Sequence, residues 1–145
     1  MTSSSYVNSQ TTISAEGAQK VIASAIAKAI ELSAPATVAV VDVQGILKAL
    51  VRMDGSPLIG VEVAVMKART AVLMGGADTG QMAERLSQNA TLLARLAPLP
   101  GIALLAGGSP LKVDGAMIGA VGVSAPSGAS DEAIVVAAVE ALTAG

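Results

Sequence analysis

Histidine, cysteine, phenylalanine and tryptophan are all absent from this 145-residue chain, and Tyr6 is its only aromatic residue. Without cysteine there is no disulfide, no thiolate nucleophile and no Cys/His zinc site. Without histidine there is no imidazole base, no Ser-His or Cys-His pair and no proximal imidazole for a haem iron. A general acid or base must be a carboxylate, a lysine, Tyr6 or water. Charge is sparse as well, at 14 % of residues and a net −2. No basic cluster stands behind it, which argues against nucleic acid as a partner. No run of 18 uninterrupted apolar residues occurs, so no membrane span is expected. The opening MTSSSYVNSQTT is polar, unlike a signal peptide, and reads as an arm over residues 1–12, with cytoplasm as the default compartment.

What remains is small and aliphatic. The chain is 52 % hydrophobic, almost entirely Ala, Val, Ile, Leu and Met, with mean hydropathy +0.66. Such side chains build thin, closely spaced layers. The apolar excess over a single domain (residues 13–145) points to burial between subunits, hence a homo-oligomer.

Ser14 is a candidate N-cap with Glu16 behind it, and Ala18, Ile22, Ala25, Ala29 and Leu32 recur at helical spacing up to Ala34-Pro35. Thr37–Val41, the turn Asp42-Val43-Gln44-Gly45 and Ile46–Met53 predict a hairpin. Ser56-Pro57 opens a helix running to about Met74 and stopped by Gly75-Gly76. Asp78 or Thr79 caps a further helix carrying Met82, Leu86, Leu93 and Leu96, broken at Pro98. Strands are expected at 102–106, 110–113 and 117–124, and Ser130 is taken as the cap of a last helix ending near Leu142. Hairpin-length links make this an α+β fold with a mainly antiparallel sheet.

Gly119-x-x-Gly122 lies inside a strand and reads as close packing, not as a dinucleotide fingerprint. Met66, Met74, Met82 and Met117 read as core filler, so no metal site is assigned. Asp131 and Glu132 read as compensation for a helix dipole. Charge concentrates elsewhere: Arg52, Asp54, Glu62, Lys67 and Arg69 all fall between Val51 and Val72. On a helix, Glu62 and Arg69 lie about 20° apart with Met66 between them, while Lys67 sits about 140° round from Glu62, on a face with Thr70. The rest of that helix is apolar, so its charges face a cleft, a partner or a subunit interface.

The blocks VVDVQGILKALVRMDGSPLIGVEVAVMKARTAV, GGSPLKVDGAMIGAVGVS and SDEAIVVAAVEAL resemble the GlcG/HbpS family over about residues 13–142. The resemblance implies a profilin-like five-stranded antiparallel sheet flanked by helices, assembled into dimers and up to octamers. It implies a small-molecule pocket near the RMDG turn and the Lys67 helix. Family members include haem-binding proteins linked to redox sensing and the C-terminal domain of some corrinoid adenosyltransferases. Others sit in catabolic or biosynthetic operons, where an enzyme is expected. The matching positions are Arg52, Met53, Asp54, Gly55, Lys67, Ala68, Thr70, Gly107, Gly108, Pro110, Asp114, Gly115, Gly119, Gly122 and Ser124.

Three departures matter. The histidine associated with haem ligation is missing, so the haem implied by the family cannot be held that way. The usual Gly-Gly after Val-Ser is Ala125-Pro126-Ser127-Gly128, and the usual aromatic after Lys-Ala is Arg69. Two readings follow. One is an oligomer binding a small organic ligand through Arg52, Arg69, Thr70, Gly107, Gly108 and Ser124. The other is an isomerase, lyase, hydratase or hydrolase on a small anionic metabolite, with Lys67, Asp54 and Glu62 as catalytic groups.

Overall fold

The computed structural model describes residues 4–143. A short 3-10 turn at Ser4–Tyr6 precedes an extended stretch. Helix α1 (Ala15–Glu31) follows, with the Ser14 side chain accepting from the Gly17 N–H as its cap. Strands β1 (Thr37–Asp42) and β2 (Leu47–Arg52) form the expected hairpin. Helices α2 (Gly60–Leu73), α3 (Thr79–Ser87) and α4 (Ala90–Leu96) come next, then β3 (Gly108–Val113), β4 (Ala116–Ser124) and α5 (Gly128–Glu140).

The sheet has four strands in the order β2-β1-β4-β3, every pair antiparallel. The expected strand at 102–106 is not one, which corrects the five-stranded expectation. Its backbone is recruited by side chains: the Ala103 N–H donates to Thr70 Oγ1, and the Leu105 carbonyl accepts from Thr79 Oγ1. Other boundaries moved for similar reasons. The Ser56 hydroxyl pairs with Thr37 Oγ1 in place of capping, so α2 starts at Gly60 with no side-chain cap. Asn89 caps a new helix after α3 and splits the expected long one. Ser127, three residues before Ser130, caps α5.

Both sheet faces are covered. Val38, Val40, Val121 and Val123 point into one layer with α1 and α5, where Val21, Ile22, Ile134 and Val135 meet them. Each fully buried valine there contributes roughly 1.5–3 kcal/mol. The opposite face carries Val41 and Ala120 against Ala68 and Ala71 of α2. Helix α2 lies flush on β4: a Cβ at Gly122 would overlap the Ala64 carbonyl, and one at Gly60 would sit 2.9 Å from Thr37 Oγ1. This is the close packing expected of Gly119 and Gly122, since a Cβ at Gly119 would overlap the Val41 carbonyl.

The two sheet edges are irregular. On β2, Val40 faces Ala49 and Val41 faces Leu47, leaving Lys48 as the extra residue of a bulge. On the other edge β3 contains Pro110, and a second irregularity falls at Ile118 of β4. The Ile118 carbonyl accepts from the Ile13 N–H and the Thr12 hydroxyl, which docks the end of the N-terminal arm.

Candidate functional site

Lys67 leaves α2 on the side facing β3 and is 2 % exposed. Its ammonium donates to the Val123 carbonyl and to Asp131 Oδ2, each at 2.9 Å. The reason lies in how β3 ends. The Val123 N–H donates to the Gly107 carbonyl, but its own carbonyl, on the same strand edge, reaches past the last paired residue of β3. Lys67 fills that vacant donor position. Asp131, in the first turn of α5, uses its other oxygen to accept from the Ala125 N–H. Both charges are thereby desolvated and matched.

The Gly107-Gly108 turn abuts this pair. Gly107 has φ +111, and a Cβ there would lie 2.8 Å from the Val123 carbonyl and 3.1 Å from Lys67 Nζ. Gly108 has no room for a side chain either, against the Lys67 carbonyl and Thr79. Thr79 Oγ1, buried, accepts from the Gly108 N–H at 2.8 Å. Thr70 likewise fastens the loop, accepting from Ala103 while donating to Met66. Among the expected site residues, Lys67, Thr70, Gly107 and Gly108 are thus held around one loop.

Ser124 follows Val123 and is nearly buried, so it joins the same end of the sheet. In the ladder Ser124 stands opposite Thr37, and Thr37 opposite Arg52. Arg52, Thr37 and Ser124 form one row across three strands, beneath the start of α2. Asp54 follows that row in the turn after β2 and is exposed. From the β2 edge to the Gly107 side is about 14 Å, three strand spacings. Glu62 and Arg69 both face solvent. Arg69 points to the far end of the sheet, near Gly45 and Gly101. Arg52, Asp54, Glu62 and Arg69 make no ion pair among the described residues.

The residues that sequence reasoning missed are Asp131 and Glu132. Asp131 has the local setting of a dipole residue, yet it partners Lys67 from 64 positions away. Only the fold brings them together. Glu132 is half-buried, and its carboxyl is raised above the ordinary 4.5 by burial, then by Asp78 and Asp131, with Lys67 opposing. Beside it, a cavity of about 290 Å³ is lined by Asp78, Ser109, Val135, Val136, Val139 and Glu140. A broader groove of about 570 Å³ runs between α1 and α5. No group of three or more His, Cys, Asp or Glu suited to a metal ion occurs among the described residues, and no described helix is long and apolar enough to cross a membrane.

A family model described as "Haem degrading protein HbpS-like" matches residues 13–140. Protein GlcG of Escherichia coli K12 is 43 % identical over 88 residues, which cover 61 % of this chain and 63 % of GlcG. The matched region therefore spans less than two thirds of that relative. A Streptomyces reticuli HbpS double mutant superposes with TM-score 0.85 at 34 % identity, covering 98 % of this chain and 94 % of that one. A PduOC–haem complex superposes with TM-score 0.80 at 28 % identity, covering 90 % and 94 %.

Proposed function

The chain belongs to the HbpS-like family, and on that premise we propose that it is a homo-oligomeric binding protein for a small organic anion. The observation that carries this reading is the row Arg52, Thr37 and Ser124 under the start of α2, a helix without a side-chain cap. First-turn N–H groups and a guanidinium are a matched pair of donors for a carboxylate or phosphate. Lys67 supports the site from behind. Its donors go to Val123 and Asp131, so it positions the 107–108 turn and is not free to act as a nucleophile.

Similar proteins include a haem complex, but the donors of this chain do not fit that group. Imidazole and thiolate are absent, and the Tyr6 phenol is 88 % exposed on the arm. The Met53 sulfur accepts from the Ala36 N–H, and Lys67 is ion-paired. Haem ligation by imidazole or thiolate has no donor in this sequence.

The test is calorimetric titration with a panel of small mono- and dicarboxylates and inorganic phosphate, beside haemin followed at its Soret band. At least one anion should bind saturably and lose about tenfold affinity in Arg52→Ala, since a charge-assisted hydrogen bond is worth about 1.5–3 kcal/mol. Haemin should give no saturable shift. Tight haemin binding with no anion binding would overturn the reading.

One observation favours a second reading, an acid–base enzyme on a small anionic metabolite. Glu132 holds its proton above the ordinary carboxylate range beside a cavity, as a general acid does. Turnover of a bound anion that Glu132→Gln abolishes would establish it.

A further inference from the structure

Glu132 lies outside the Arg52–Thr37–Ser124 row, and its surroundings are specific. Its Oε1 would stand 2.8 Å from a Cβ at Gly80, and Asp78 Oδ1 would stand 3.3 Å from the same atom. Two carboxylates from different helices therefore crowd one glycine. Asp78 is committed through Oδ1, which accepts from the Gly80 and Gln81 N–H groups and caps α3. Its second oxygen carries no such bond from that turn. The charged groups facing Glu132 are Asp78 from α3, Asp131 from α5 and Lys67 from α2, and Lys67 is already matched by Asp131. The remaining balance is two like charges, Glu132 and Asp78, and Asp78 lines the cavity between α3, β3 and α5 together with Glu140.

We propose that Glu132 and Asp78 form an acid-operated latch between α5 and the first turn of α3. Ionised, the two carboxylates repel, and α3 is held to the body by Thr79 and by the buried Met82 and Leu86. Protonated, Glu132 donates its O–H to the Asp78 carboxylate, a short charge-assisted bond that draws α3 onto α5 and narrows the cavity. Balance is simple: one proton is taken from solvent on closing and returned on opening. The proposal does not depend on the anion site, because Arg52 and Ser124 lie on other strands.

The experiment is amide exchange of α3 in the whole protein, expressed as protection factors at Gln81 and Met82 between pH 7.5 and 4.5. In the unmodified protein protection should rise by roughly tenfold as pH falls, the scale of one added charge-assisted bond. Glu132→Gln, whose amide donates without titrating, should show high protection at every pH. Glu132→Ala should show low protection at every pH. Protection independent of pH in the unmodified protein, or a rise surviving in Glu132→Ala, would overturn the latch.

Discussion

The Lys67 ammonium and the Asp131 carboxylate meet at 2.9 Å although they come from opposite faces of the sheet. Helix α2 covers one face and α5 the other, and the pair closes around the end of β4 where β3 stops. A buried ion pair of this kind is expensive to break and cheap to replace whole. Lys67→Met or Asp131→Ala alone should cost roughly 3–5 kcal/mol in urea unfolding, because each leaves a buried partner unmatched. The double replacement Lys67→Met with Asp131→Leu should recover most of that loss. Single losses under about 1 kcal/mol would mean that the pair is solvated.

Gly107 and Gly115 both have positive φ, but only Gly107 is crowded. Gly115→Ala should cost about 1–2 kcal/mol from backbone strain alone. Gly107→Ala adds the contacts with Val123 and Lys67, so its loss should be about twice as large. Equal losses by thermal unfolding would show that the turn yields.

Gly122→Ala should be the most damaging single methyl in the sheet. The new carbon overlaps the Ala64 carbonyl, and backbone cannot rotate away as a side chain does. Helix α2 must lift from β4, at about 3 kcal/mol. Retained midpoint with unchanged circular dichroism would contradict the flush packing.

Glu132 gives a pH dependence with a defined sign. Its proton binds more tightly in the folded state, from burial first and then from Asp78 and Asp131. The associated stability is present in full below the unfolded value of 4.5 and is lost as pH rises through the raised folded value. Glu132→Gln removes this loss. The variant should be more stable than the unmodified protein at pH 7.5, with the difference shrinking towards pH 4 in paired urea titrations.

Local patterns carried much of the fold into the sequence. The run Thr37–Val41 and the Asp42–Gly45 turn announced the hairpin, and Ser14, Asp78 and Gly75-Gly76 marked helix ends where they occur. What failed were places where a side chain takes the backbone's partner. Thr70 and Thr79 convert an apolar run at 102–106 from strand to fastened loop, and Ser56 spends its hydroxyl on Thr37. The site was legible only on one side. A buried lysine on an apolar helix signals a partner, but nothing local distinguishes Asp131 from a dipole residue. The Lys67 partner is set by the crossing of β4 between two helices, which is a property of the whole chain.

The bulge at Lys48 and the proline at position 110 limit how copies of this chain can meet. Neither outer strand offers a long regular row of free N–H and C=O groups, so a sheet running continuously from one molecule into the next is disfavoured. Side chains are the alternative, and the exposed apolar ones include Ile30, Leu58, Ile59, Leu73 and Val136 on helices and turns, with Leu47, Val51 and Val113 on the outer strands themselves. The bulge and the proline thus act as guards against fibre-like stacking at both edges of the sheet.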